Sequence, residues 1–150
     1  MSKVFEWYLG SIVYNIKKRD AETVNVRQIK YCHQNDAYSK ISLNYMGKPN
    51  SATMINNICY YGPRDKIIIK EVLDCLDDGR KILILSDRRD HLKNLKLLLD
   101  EDGKYTSGFY LGGMKPKDLE ETEGKNVILG TFTMASEGFD CRYPLNTIVL

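Results

Sequence analysis

The sequence predicts an α/β fold: a parallel sheet covered by helices, preceded by a β-hairpin or irregular lead-in. Three observations lead there. From residue 51 onward, stretches with helical apolar spacing alternate with short strand-like runs, the order that builds parallel sheets. Within "KILILS" (81–86) the four central residues are continuously apolar, the pattern of a strand buried on both faces. At 150 residues and 43% hydrophobic, the chain is long enough for one domain with a real core and short for two.

Taken in order, "GSIVYNI" (10–16) and "TVNVRQIKYC" (23–32) carry β-branched and aromatic residues with partial alternation. The charged "KKRDAE" between them reads as a hairpin connection, with Lys17, Lys18 and Arg19 at a solvated tip. "YSKISLNY" (38–45) alternates as a third strand and ends at the Gly/Pro loop "MGKPNS". Ser51 or Thr53 can cap a helix through "MINNICYYG", which Gly62-Pro63 ends. "RDKIIIKEVLDCLDDG" (64–79) sets Ile67, Ile68, Val72, Leu73 and Leu76 on one helical face, with Gly79 as its stop. After the 81–86 strand, Leu92, Leu95, Leu98 and Leu99 space a helix over "RRDHLKNLKLLLDEDG". "SGFYLGG" is a strand into a glycine turn, "KPKDLEETEG" a short helix, and "NVILGT" a strand. "MASEGFD" is a turn or helical start, and "NTIVL" the last strand.

Charge and cysteine usage exclude little. The 22 Lys+Arg against 20 Asp+Glu leave +2, which neither requires nor forbids a polyanionic partner. Cys32, Cys59, Cys75 and Cys141 lack Cys-x-x-Cys spacing, so no zinc site is legible, and Cys59 and Cys75 fall in apolar helical stretches as small hydrophobes. With no secretory signal and no apolar run near the ~20 residues of a membrane span, a soluble, intracellular protein is expected. Phe5, Trp7 and Tyr8 read as core or interface residues; Tyr31, Tyr38, Tyr45, Tyr60 and Tyr61 show no functional pattern.

In open parallel sheets, ligands sit beyond the carboxyl ends of the strands. Three loops fall there: "SDRR" (86–89), "GGMK" (112–115) and "TFTMASEGFD" (131–140). Ser86, Arg88 and Arg89 stand at a helix start, where cations oppose the dipole. Either a phosphate or salt bridges to Asp87 and Asp90 would offset that cost. Gly112 and Gly113 permit close backbone approach or simply make a β-to-α turn. Thr131 offers a hydroxyl, Gly138 an open backbone and Asp140 an acceptor for ribose hydroxyls, although each also suits an ordinary strand end, turn or loop cap. His91 is read as a packing or local capping residue. "LLLDEDG" (97–103) resembles a magnesium-binding strand end, but its leucines have helical spacing and the chain contains no Gly-x(4)-Gly-Lys-Ser/Thr loop.

In this order and spacing, "KILILSDRRDHL" (81–92), "FYLGGMK" (109–115) and "VILGTFTMASEGFD" (127–140) resemble motifs IV, IVa and V of superfamily 2 helicases. The flavour is that of large-DNA-virus and T4-like phage helicases related to the poxvirus transcript-release helicase. "KVFEWYLGSIVY" (3–14) is similar to the segment leading into their second RecA-like domain. The resemblance implies a lead-in over 1–50 and a partial second RecA-like domain over 51–150, with motifs I to III before Met1 and motif VI after Leu150. It implies ATP and Mg2+ in the complete enzyme, Gly138 and Asp140 at the ATP cleft, and DNA or RNA backbone contacts from Ser86, Arg88, Arg89, Gly112, Gly113 and Thr131. No catalytic residue is expected in the chain itself. Its partners would be a single strand and the first RecA-like domain, with self-association through an uncovered last strand. Two other readings stay open: a short non-catalytic binding module, and an unrelated flavodoxin-like domain.

Overall fold

The computed structural model describes residues 25–136, 139 and 141–150. The strand expected at 10–16, the start of the one at 23–32, the Lys17-Lys18-Arg19 tip, the segment 3–14 with Phe5, Trp7 and Tyr8, and the site residues Gly138 and Asp140 all lie outside the described residues. Residues 25–30, exposed and without helix or strand, belong to one unit; the compact unit described below runs from Tyr31 to Leu150.

The strand expected at 38–45 does not form. Helix α1 (Asp36–Ser39) takes its start, capped by Asn35, whose side-chain oxygen accepts from the Ala37 N–H at 2.8 Å. Asn44 then accepts from the N–H groups of Met46 and Lys48, closing a turn with one isolated bridge between Leu43 and Pro49. Alternation here has no buried face to select it, because Ile41 and Leu43 are both exposed, and side-chain amides compete for the backbone.

Helix α2 (Ser51–Cys59) is capped by neither Ser51 nor Thr53 but by Asn50, whose side-chain oxygen accepts from the Thr53 N–H at 3.2 Å. Helix α3 (Gly62–Asp77) then begins with Gly62-Pro63 inside its first turn, where proline's missing N–H costs nothing. Its buried seam is Asp65, Ile69, Val72 and Leu76, while Ile67 faces outward and Ile68 and Leu73 flank the core. Strand β1 (Ile82–Leu85) follows, then α4 (Arg89–Asp102), ended by Gly103 at φ 64°. The "LLLDEDG" stretch is thus a helix end. Strand β2 (Ser107–Tyr110), helix α5 (Pro116–Glu123), strand β3 (Val127–Gly130), helix α6 (Phe132–Ser136) and strand β4 (Thr147–Val149) complete the order.

Among the described residues, four strands form one all-parallel sheet in the order β2-β3-β1-β4. A flavodoxin-like order would set β1 beside β2, whereas β3 lies between them here. The arrangement is consistent with a RecA-like fold. The pleat sorts the strands into two faces. Ile82, Ile84, Val127 and Leu129 pack with Ile69, Val72 and Leu76 of α3 and Leu92, Leu95 and Leu99 of α4 in one core. Leu83, Ile128 and Gly108 share one register row on the opposite face.

Helix α5 covers that second face so closely that a side chain at Gly108 has no room. A Cβ there would stand 2.8 Å from Thr122 Cγ2 and 2.9 Å from its Oγ1, and Thr122 is buried. Gly108→Ala is expected to cost about 1–3 kcal/mol by overpacking. Combining it with Thr122→Ala, which removes both atoms, should recover part of the loss. Urea unfolding of the two single variants and the pair measures the coupling; strict additivity would refute the close contact.

Candidate functional site

The loops after β1, β2 and β3 meet at the carboxyl edge of the sheet. Arg89 reaches across from the first turn of α4 and donates from Nη2 to the Gly112 carbonyl at 3.1 Å. A Cβ on Gly112 would lie 3.6 Å from Met134 Sδ and 3.7 Å from Arg89 Nη2, ordinary contact distances that show three loops sharing one spot. Gly113 follows at φ 89°, a turn conformation that side-chain-bearing residues avoid. Thr131 sits at the end of β3 and caps α6: its Oγ1 accepts from the Met134 N–H at 3.4 Å, leaving its hydroxyl hydrogen free to donate. Phe139, between the undescribed Gly138 and Asp140, packs edge-on against Tyr110 of β2, ring centroids 4.8 Å apart.

Salt bridging to Asp87 or Asp90 does not explain the arginines. Asp90 pairs with Lys93 at 2.7 Å, and among the described residues neither Arg88 nor Arg89 bonds Asp87 or Asp90. Arg88 occupies the N-cap of α4 with no side-chain cap, leaving the first N–H groups of a 14-residue helix open toward the same loops. Helix N–H groups and guanidinium together favour an anion.

Ser86 is placed differently from the expectation of an open phosphate contact. It is buried, its Oγ accepting from the Arg88 N–H at 3.3 Å and lying 3.1 Å from His91 Nδ1. His91 Nε2 lies 3.2 Å from Asp65 Oδ1, and Asp65 Oδ2 accepts from Asn94 Nδ2 at 2.9 Å. A carboxylate only accepts, so Nε2 carries the hydrogen toward Asp65, while Nδ1 meets the Ser86 hydroxyl. This buried relay ties α3 to the loop after β1. Its order resembles a nucleophilic triad, but Ser86 Oγ is held inward by a backbone N–H, which fits it for positioning. His91 packs, as its sequence context suggested.

Asp65 was missed. Its signal was present: 65, 69, 72 and 76 step by 4, 3 and 4 along the inward seam of α3, so a carboxylate stands where an aliphatic belongs. The tyrosines do have a pattern in space. Tyr31, His33, Tyr38 and Tyr61 form one ring cluster with centroids 5.1–6.3 Å apart, Tyr61 Oη meets His33 Nδ1 at 2.9 Å, and the cluster fixes residues 31–38 against the start of α3. Perturbed carboxyls lie elsewhere. Hydrogen bonds from Lys104 and Tyr105 hold Asp77 below the usual carboxylate range at the far end of α3, about 18 Å from Asp65 by helical rise.

All four cysteines are free thiols in the structure; Cys59 is buried at the end of α2 and Cys75 is half-buried against the core. Among the described residues, no helix is long and apolar enough to cross a membrane.

Fold and site together define an open-sheet α/β domain whose ligand edge gathers two arginines, a glycine turn and a strand-end threonine. Along its full length the chain is similar to a protein of Acanthamoeba polyphaga mimivirus provisionally named an ATP-dependent RNA helicase, with 35% identity over 157 aligned positions. The alignment covers 100% of this chain and 30% of that relative, so the chain spans about a third of the relative's length. No family model and no solved structure matches.

Proposed function

We propose that the chain is the second RecA-like portion of an ATP-dependent nucleic-acid helicase or translocase of the superfamily 2 type, soluble, with RNA or DNA single strand as its partner. One observation carries the reading: the Arg89 to Gly112 hydrogen bond, with Met134 against the same glycine, brings the three motif-bearing loops onto one edge. In the complete enzyme, phosphates would run over Arg88, Arg89, the Gly112-Gly113 turn and Thr131, with Ser86 holding the first loop from behind. ATP with Mg2+ would supply the driving hydrolysis. From this chain Gly138 would give backbone access and Asp140 an acceptor for ribose hydroxyls, a fit of residue type supported by the packing of intervening Phe139 at the sheet's ligand edge. Binding of ATP between this portion and a first RecA-like domain would favour a closed state over an open one, which is how hydrolysis moves a strand.

The test is direct. Residues 1–150 should bind a fluorescent single-stranded oligonucleotide weakly, with a Kd on the order of 10⁻⁴ to 10⁻⁶ M that rises with salt. They should not hydrolyse ATP, because the sequence holds no Lys-bearing phosphate loop. Salt-independent binding, or none, would sink the nucleic-acid reading; strand-stimulated turnover by the isolated chain would sink the two-domain one.

The last strand supports one further element. Strand β4 lies at an edge of the described sheet, with Ile148 59% exposed and Leu150 78% exposed. Exposed apolar side chains beside a strand edge promote association. Ile148→Lys should therefore shift concentrated samples toward monomer in sedimentation velocity, and an unchanged distribution would remove β4 from any self-contact.

A further inference from the structure

Arg64 and Arg88 differ from six other basic residues of the described unit. Arg80, Lys93, Lys96, Lys104, Lys125 and Arg142 each pair with a carboxylate. Neither Arg64 nor Arg88 does so among the described residues. Both are half-buried, and each holds a fully covered nitrogen, Nη1 of Arg64 and Nε of Arg88, with no hydrogen-bond partner. A guanidinium keeps its charge at any accessible pH, so it cannot escape this by losing a proton. The two groups also act on the same neighbour: burial pushes the Cys59 thiol up, and Arg64 and Arg88 both oppose that rise. The hydrogen-bonded relay places them on neighbouring elements: Arg64 precedes Asp65 in the first turn of α3, Arg88 at the N-cap of α4 gives its N–H to Ser86, and Asp65 and Ser86 both meet His91. Asp65, the nearby buried carboxylate, is already committed to His91 and Asn94.

Two cations tied to one relay at the carboxyl edge of a parallel sheet, with donors unspent and two helix N-termini beside them, call for an anionic acceptor with several oxygens. We propose that Arg64 and Arg88 form a phosphate pocket that takes a phosphodiester of the bound single strand, extending its path from the loop after β1 onto the head of α3. The proposal rests on the nucleic-acid reading above and adds a residue, Arg64, that no motif of that reading contains. The relay Ser86–His91–Asp65 gives the pocket its geometry, since it fixes the loop bearing Arg88 to the helix bearing Arg64.

The experiment compares wild-type chain with Arg64→Gln and Arg64→Lys, by anisotropy of a labelled single strand across a salt series and by thermal melting, with inorganic phosphate as a second probe. Arg64→Gln should weaken strand binding roughly fivefold and reduce the log–log salt slope by about 0.7, the share of one phosphate on a single strand. Its melting temperature should hold or rise, because a half-buried guanidinium with a covered, unpartnered nitrogen is gone; a residue kept for folding would lower it. Arg64→Lys should retain the salt slope while losing part of the affinity, as a point charge replaces a forked donor. Unchanged affinity and slope in Arg64→Gln, while the wild type binds, would overturn this assignment and leave the nucleic-acid reading intact. No strand binding by the wild type would overturn both. Stabilisation of the wild type, but not Arg64→Gln, by inorganic phosphate without an Arg64 effect on strand binding would give the pocket to a free phosphate and overturn the backbone path.

Discussion

Asp65→Ala should be the most damaging single substitution at the site. The carboxylate is 0% exposed and serves two donors, His91 Nε2 and Asn94 Nδ2, both of which lose their acceptor when it is removed. Leaving a buried donor unsatisfied costs about 1–3 kcal/mol; with His91 buried and Asn94 only half-buried, the pair predicts roughly 2–5 kcal/mol, a large share of the ~5–15 kcal/mol that a domain commonly has. At about 2–4 °C per kcal/mol for a chain of this size, the melting temperature should fall by roughly 5–20 °C. Asp65→Asn keeps one acceptor oxygen but turns an amide donor toward one of the two donors, so it should lose less. Urea unfolding of both variants measures the difference. A loss below about 1 kcal/mol in Asp65→Ala would mean that His91 and Asn94 re-pair, and the relay would then not be what fixes the loop after β1.

Replacing Arg88 and Arg89 together by alanine should give the largest loss of nucleic-acid binding. Each would remove one backbone phosphate contact, so the salt slope should fall by about 1.4 in total, at about 0.7 per phosphate on a single strand. Affinity should drop about tenfold or more, equivalent to at least ~1.4 kcal/mol. Stability should change little by comparison, since Arg89 gives up one exposed hydrogen bond to Gly112 and Arg88 has no carboxylate partner among the described residues. Anisotropy titrations at several salt concentrations check all three. Full retention of affinity and slope would move the strand off this edge of the sheet.

The sequence alone determined the periodic part of the fold. Helices α3 and α4 and strands β1, β2, β3 and β4 were legible because their apolar residues repeat at 3.6 or run continuously over buried strands, and burial is what such patterns record. Even there, the inward face of α3 was misread, with Ile67 taken for Ile69 two positions on, because an isoleucine triplet fits either choice until a neighbour selects one. The strand-end loops were legible as candidates since parallel sheets place ligands there whatever the chemistry.

Only the tertiary structure decided the rest. The alternating "YSKISLNY" became a one-turn helix and an asparagine turn with no strand beside it among the described residues, and alternation is informative only against a partner. Ser86 turned inward and Asp65 joined it across 21 residues, a pairing that local periodicity does not encode. The tyrosines at 31, 38 and 61 became one cluster, and the relay linked the helix of Arg64 to the loop of Arg88, for the same reason. Sequence records which residues leave water; which of them then meet is set by how α3, α4 and the sheet pack, and the relay and both arginines exist only at that meeting.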